Sequence, residues 1–331
     1  MAAQTMRAMA IGRHGGPEAF EAMRLPRPEP GPGMLLVRVR ASSVNPADIG
    51  ARSGAMHADG LPMPAVLGFD VAGTVEAVGA GVSGFVPGDA VFYPVPPGVP
   101  GGGYGEYHVA PASLVARLPG SLSFEQAGCV PVAGGTAYAS VVTFGRAAPG
   151  EWVLVHGAAG GVGSFAVQVA HALGARVLAT CAARDAELVR GLGAEDTFDA
   201  HRAEFAGWTR ERTAGQGVAL CVATFGGDAF ARSLEVLAPE GRLVTMTGPA
   251  VGLESRLMRA VMLNAELRFV HLSDPAPKLA ALARLIDAGS VRPLVAETLP
   301  IERVAEAHRR FEAPGRPAGK IALAGFDATQ G

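Results

Sequence analysis

Lysine is nearly missing from this chain: only Lys278 and Lys320 occur, and arginine carries the rest of the positive charge. The bias reads as genomic and says nothing about mechanism. Blocks of like charge are absent too, and the formal net charge is only −2. Nucleic acid and membrane surfaces are therefore poor candidates for a partner. Cysteine is scarce. Cys129, Cys181 and Cys221 lie far apart among apolar neighbours and form no C-x-x-C pair, and their odd number argues against a disulfide framework. No apolar run is long enough to span a bilayer. Residues 1–16 lack the hydrophobic stretch of a secretory signal, so a reduced, cytoplasmic protein is the expectation.

Glycine and apolar side chains are what the chain has in quantity. Its 331 residues, with 45 Gly, 25 Pro and 49% hydrophobic content, exceed what one core usually serves, and two domains are expected. Residues 6–120 read as β-rich, with alternating runs such as 34–40 and 71–78 between Pro/Gly clusters. From Ser123 onward helix and strand alternate, with strands expected at 153–156, 176–180, 218–223, 242–247 and 268–272. That alternation implies βαβ units with right-handed crossovers, and so an α/β fold with a doubly wound parallel sheet. Amphipathic helices are expected near 277–287 and 301–311, and a last strand at 320–324.

The strongest local signal begins at Trp152. The run to Val155 is apolar and β-branched, as suits a strand buried on both faces. Gly157, Gly160 and Gly163 follow three apart, and an apolar helix then runs to Gly174. Such glycines let the backbone turn tightly and let a pyrophosphate approach the first helical N–H groups, where the helix dipole favours negative charge. The spacing departs from G-x-G-x-x-G, and Gly-rich turns also serve close helix–strand packing. With a strand before it and a helix after it, dinucleotide binding is the expected role. An NAD enzyme commonly ends its second strand on an acid that binds the ribose 2′-OH. Here that strand closes on Thr180 and Cys181, and Arg184 follows, placed to grip a 2′-phosphate. Asp185 argues the other way, although it also reads as an early-turn acid of the next helix. NADPH is the favoured cofactor.

Six segments then occur in one order: Leu67-Gly-Phe-Asp-Val-Ala-Gly73, Gly88-Asp89-Ala-Val-Phe, Gly105-Glu-Tyr107, Gly135-Thr-Ala-Tyr138, Gly157-Ala-Ala-Gly-Gly-Val-Gly163 and Gly319-Lys-Ile321. Together they resemble the medium-chain dehydrogenase/reductase superfamily, and within it the zinc-free, zeta-crystallin-like quinone oxidoreductases. The resemblance implies a discontinuous GroES-like catalytic domain at residues 1–128 and 272–331. It implies a Rossmann NADP(H)-binding domain at 129–271, an active site in the cleft, and a homodimer through the sheet edge at 266–272. The family's zinc ligands would fall near Asn45, Phe69 and Val132. An amide is a poor zinc ligand and the other two side chains cannot ligate, and the four-cysteine lobe is missing. Without a Lewis acid nothing stabilises an alkoxide. The chemistry left is hydride delivery to a quinone or α,β-unsaturated carbonyl, which needs orientation and hydrogen bonds to the oxygen. Reduction of an enoyl thioester stays open. So does NADPH binding without turnover, because Gly50 stands where many relatives carry a cofactor-facing tyrosine.

The expected catalytic set is Asn45, Tyr93 and Thr136. Asn45 reads either as the floor of the nicotinamide cleft or as an Asx turn, with Asp48 capping or pairing with Arg52. Tyr93 reads as a phenol offered to substrate or as an ordinary packing residue. Thr136 matches the family's nicotinamide contact, against a helix threonine bonded to its own backbone. The expected cofactor contacts are Thr136, Ala159, Gly160, Gly161, Val162, Gly163, Thr180, Arg184, Phe225, Thr247 and Lys320, the last also readable as a surface residue. Tyr107 and Tyr138 read as packing, His156 and His308 as structural, and His57 as a solvated loop residue.

Overall fold

The structure, a computed structural model, describes residues 4–326 except 57–60, 97, 98, 100, 203, 227 and 248–253, and His57 lies outside the described residues. The chain divides into two compact units, one of Met1–Val132, Asp274–Asp287 and Pro293–Gly331, the other of Ala133–Ser273 and Ala288–Arg292. The excursion at 288–292 was not legible in the sequence. It belongs with the second unit because the Gln168 side chain binds both the N–H of Arg292 (2.9 Å) and its carbonyl (3.0 Å).

In chain order the first unit supplies β1 (Thr5–Ile11), β2 (Phe20–Pro26), β3 (Met34–Ser43), β4 (Ala65–Val66), β5 (Asp70–Val78), β6 (Ala90–Pro94), β7 (Tyr107–Pro111) and β8 (Ala116–Arg117). The second supplies β9 (Trp152–His156), β10 (Arg176–Cys181), β11 (Asp196–Asp199), β12 (Val218–Ala223), β13 (Leu237–Thr245) and β14 (Glu266–Phe269). The chain then returns to the first unit with β15 (Val295–Pro300) and β16 (Lys320–Ala324).

The first unit is a β structure. Its larger sheet runs β15-β16-β3-β5-β6-β8, with β7 also paired to β3, and β2-β1-β4 form a second sheet. Alternation sets its core: Leu35, Val37 and Val39 of β3 share one face and pack with Val71, Val75, Val91 and Tyr93. The helix Pro46–Ser53 follows β3 directly and opens on a proline at its first position.

The second unit is a parallel sheet in the order β11-β10-β9-β12-β13-β14. The order reverses between β9 and β12, the switch point at which doubly wound sheets bind ligands. Val153, Leu154 and Val155 of β9 are fully buried, as a strand covered on both faces requires. β11 was not anticipated: its four residues, Asp-Thr-Phe-Asp, carry two acids and look like a turn until β10 pairs with them. β13 starts earlier and stops sooner than its apolar run suggests, at Leu237 and Thr245, and β14 is Glu266–Phe269.

Candidate functional site

The second unit builds its constellation from backbone. β9 ends at His156, and Gly157 turns the chain with a φ of +65°. Gly160 is the N-cap of the helix Gly161–Ala172. A Cβ on Gly163 would stand 2.2 Å from the Gly157 carbonyl oxygen, so only glycine lets the helix start this close to the strand end. Intrahelical bonding begins with Ser164 N on Gly160 O (2.9 Å), which leaves the N–H groups of Gly161, Val162 and Gly163 ahead of the ladder. Gly160, Gly161 and Val162 are partly exposed, with Ala159 buried beside them. Backbone donors, a helix N-terminus and access together fit a dinucleotide's diphosphate.

The neighbouring strand ends converge here. Ala223 lies in register with His156, and Thr224 Oγ1 donates to the His156 carbonyl (2.9 Å). Phe225 is partly exposed beyond them, its ring 5.8 Å from that of His156. Thr247 follows β13 and gives its N–H to Thr245 Oγ1 (3.2 Å). Thr136 lies on the helix Pro131–Tyr138, nearly buried, and its carbonyl accepts from Ser140 Oγ (2.8 Å). The π-helical turn Ala139–Thr143 that follows packs on the helix Gly161–Ala172.

Thr180 needs correcting as a cofactor contact through its hydroxyl. It is buried, and its Oγ1 lies 3.0 Å from His156 Nδ1, whose Nε2 lies 3.0 Å from Ser233 Oγ. Burial pushes His156 down to about 4, so this ring is a neutral structural bridge. Arg184 stands on an exposed 3-10 turn just past β10, 3.8 Å from the Asp185 carboxylate. Asp199, unseen in the sequence reading, ends β11 opposite Cys181.

The first unit builds with buried side chains. Asp70 opens β5 with no exposure at all. Its Oδ2 accepts from Ser43 Oγ (2.5 Å), Asn45 Nδ2 (2.8 Å) and Lys320 Nζ (3.2 Å), and its Oδ1 from Val132 N (2.7 Å). Lys320 also donates to the Val44 carbonyl (3.0 Å) and to Asn45 Oδ1. Its three hydrogens are thus spent inside the unit, so it is neither a surface residue nor a donor left for the cofactor. Asp70 carried no local signal beyond being an acid inside an apolar run, which marks a buried polar group in need of partners.

Asn45 is the N-cap of Pro46–Ser53, and its amide is held between Lys320 and Asp70. Asp48 accepts from Asn45 N (2.9 Å), Gly68 N (3.0 Å) and Phe69 N (3.1 Å), pinning the helix to the segment before β5. Burial pushes its carboxyl up to about 7, against those backbone donors. Asp48 does not pair with Arg52. The Arg52 guanidinium instead grips Glu312 at 2.9 and 3.1 Å and donates to His308 Nδ1 (3.1 Å). His308 Nε2 in turn lies 3.0 Å from Tyr104 Oη. Burial, then the Arg52 charge, hold His308 down at about 3, so the ring accepts at Nδ1 and donates at Nε2.

Tyr93 also needs correcting. It is fully buried in the core formed by β3, β5 and β6, and its phenol is 3.0 Å from His108 Nδ1, so it is not offered to a substrate. Tyr107 packs against Met6 and Leu36. The three zinc-ligand positions do meet around Asp70: Asn45 and Val132 donate to it, and Phe69 precedes it. Among the described residues no group of three His, Cys, Asp or Glu side chains is arranged to hold a metal.

Residues 31–120 match the family model described as alcohol dehydrogenase GroES-like domain, and residues 192–323 the one described as zinc-binding dehydrogenase. A quinone oxidoreductase of Pseudomonas aeruginosa is 34% identical, over 91% of this chain and 94% of that protein. The spectinabilin polyketide synthase system protein NorB of Streptomyces orinoci is 35% identical over 93% of this chain, which spans 14% of that protein. The crystal structure of an alcohol dehydrogenase superfamily protein from Novosphingobium aromaticivorans superposes with a TM-score of 0.89 at 33% identity, covering 97% of this chain and 99% of that one.

Proposed function

The chain belongs to the quinone oxidoreductase branch of the medium-chain dehydrogenase/reductase superfamily, and on that footing we propose an NADPH-dependent, zinc-independent reductase of quinones or α,β-unsaturated carbonyls. The Asp70 cluster carries this reading. At the family's zinc positions stand an amide held by Lys320 and Asp70, a Phe and a Val, and the cation of the cluster is the Lys320 ammonium. Such a set offers a Lewis acid no ligands. A conjugated acceptor can do without one because conjugation spreads the developing negative charge, whereas an alcohol needs a metal or a side-chain acid/base to handle its proton.

NADPH, when bound, supplies the hydride. The N–H groups of Gly161, Val162 and Gly163 hold its diphosphate, Arg184 its 2′-phosphate, and Thr136, Phe225 and Thr247 line the rest of its path. Asn45 acts by position, since its amide is committed to Lys320 and Asp70. The proton comes from solvent. Three buried free cysteines suit a reducing, cytoplasmic setting.

Two observations favour second readings. Asp199 beside the end of β10 suits the 2′-OH of NADH. The likeness to a polyketide synthase protein suits an enoyl thioester as acceptor. Loss of reduced-nicotinamide absorbance against a panel of quinones, enones and enoyl thioesters, with NADPH or NADH and with a chelator, separates them. Turnover with NADPH and a quinone or enone that survives chelation is expected; activity abolished by the chelator would overturn zinc independence. Tight NADPH binding with no acceptor reduced would make the chain a binding module.

A homodimer belongs to the proposal. Met258, Val261 and Met262 on the helix Glu254–Met262, and Phe269 on the edge strand β14, are 55–77% exposed, more apolar surface than a lone sheet edge should leave in water. Sedimentation should give twice the chain mass, and Phe269→Glu should shift it toward the monomer.

A further inference from the structure

The glycine turn of the second unit starts from a buried histidine that is bonded on both sides. His156 closes β9 and lies in register with Thr180 of β10 and with Ala223 of β12. Its Nδ1 is 3.0 Å from Thr180 Oγ1 and its Nε2 is 3.0 Å from Ser233 Oγ. The ring thus reaches from β10 to the 3-10 turn Ser233–Val236, where the chain arrives after β12. Phe205 meets it edge-on at 4.9 Å. The bonding continues into the turn itself. The Thr180 carbonyl accepts from Ala158 N (2.9 Å), and Thr224 Oγ1 donates to the His156 carbonyl (2.9 Å). The residues on either side of Gly157 are therefore held from β10 and from the end of β12 at once.

A residue that only filled the core would not need this pattern. Burying an imidazole carries a desolvation cost that an apolar side chain avoids, and burial has pushed this ring down to about 4. The neutral ring donates at one nitrogen and accepts at the other, and a hydroxyl on each side satisfies both in either tautomer. What the imidazole adds is a pair of hydrogen bonds in opposite directions from one rigid plane. They point to the two halves of the nucleotide crevice, which opens where the strand order reverses between β9 and β12. The β10 side takes the adenosine half of a dinucleotide, and the β12 side takes the other.

We propose that His156 is a positioning residue: through Thr180 and Ser233 it fixes the spacing between the two half-sites of the crevice, so that both halves of a nicotinamide dinucleotide bind together. This rests on nucleotide binding at the glycine turn, as proposed above. The ring is 1% exposed and acts through its partners. Two half-sites serve one ligand only when their separation matches it, and the joined halves then gain an effective concentration that a loose pair loses. Loosening the bridge should therefore weaken the whole dinucleotide and spare its adenosine fragment.

The test is calorimetry on the full chain with NADPH and 2′,5′-ADP, and with NADH and ADP. The tighter dinucleotide and its own fragment are then compared across variants. Thr180→Val removes one hydroxyl of the bridge and keeps the carbonyl that holds Ala158; Ser233→Ala removes the other hydroxyl. Each should weaken the dinucleotide about tenfold, the worth of one buried hydrogen bond, and the fragment under about twofold. The double variant should lose no more than either single one, because one broken link already frees the spacing. A role in stability alone would weaken dinucleotide and fragment alike. Equal losses for the two, losses that add in the double variant, or unchanged dinucleotide affinity would each overturn the proposal. If the double variant does not fold, the split in the single variants decides. A wild-type chain that binds neither NADPH nor NADH would overturn the nucleotide reading and this one with it, whereas wild-type binding that the variants retain would overturn the bridge alone.

Discussion

The two units build polar sites in opposite ways. The second works with backbone: bare glycines, a helix N-terminus and N–H groups open to a ligand. The first works with side chains: Asp70, Lys320 and Asn45 are buried and spend their donors and acceptors almost wholly on one another. A backbone site is local, because its donors come from consecutive residues. A side-chain site is assembled from afar, since Lys320 and Asp70 stand 250 residues apart in the chain. The first arrangement leaves a motif in the sequence, and the second leaves single letters.

The contrast breaks most sharply at Lys320. Lys320→Met leaves the Asp70 carboxylate buried without its cation, and stability should fall by about 3–5 kcal/mol in urea unfolding. A loss below about 1 kcal/mol would mean that the ion pair is not what holds the first unit's cluster.

Acid probes both units. His108 and His156 are lowered to about 4 and His308 to about 3, chiefly by burial, so each is neutral when folded and takes a proton on unfolding below its ordinary 6.5. Their stabilisation is complete above 6.5 and is lost as pH falls toward 4, by roughly 1.4 kcal/mol per pH unit for each. Asp48 has the opposite sign. Raised from 3.8 to about 7, it contributes stability that is complete below 3.8 and is lost as pH rises through 7. Three histidines outweigh one aspartate, so urea midpoints should drop steadily from pH 6.5 to 4, and a flat profile would refute the buried neutral rings.

The backbone site should answer differently. Gly163→Ala forces a methyl against the Gly157 carbonyl, and NADPH affinity should fall about 30-fold, equivalent to the 1–3 kcal/mol of an overpacked contact. Unfolding should lose the roughly 1–3 kcal/mol of an overpacked contact, less than in Lys320→Met. The smallest effect is expected at Arg184, whose side chain is 56% exposed and screened by solvent. Arg184→Ala should cost NADPH about tenfold in kcat/KM and NADH under about twofold. Equal losses for both would move the cofactor reading to Asp199 and NADH.

Legibility followed the same division. The strand, turn and helix from Trp152 onward, and four of the other five strands of the parallel sheet, could be read because apolar periodicity and glycine spacing are properties of neighbours. β11 escaped because its residues gain strand character only by pairing with β10. Tyr93, Thr180 and Lys320 were each legible as polar groups near a site. Their partners, His108, His156 and Asp70, come from other strands, and partnership decides whether a hydroxyl or an ammonium is free to bind. His108 gave no signal at all, since an orphaned nitrogen is visible only once everything around it has been placed.

The sequence by itself determined the two classes of unit, the alternating helix and strand of the second, and its glycine turn, because each follows from side-chain period and backbone freedom over a few residues. Only the tertiary structure decided which polar groups are spent. It tied Lys320 to Asp70 and Asn45, turned Arg52 from Asp48 to Glu312, and, among the described residues, left His108 Nε2 buried without a partner. Hydrogen bonds and charges in a low-dielectric interior are settled by contact, and the chain order does not state contact.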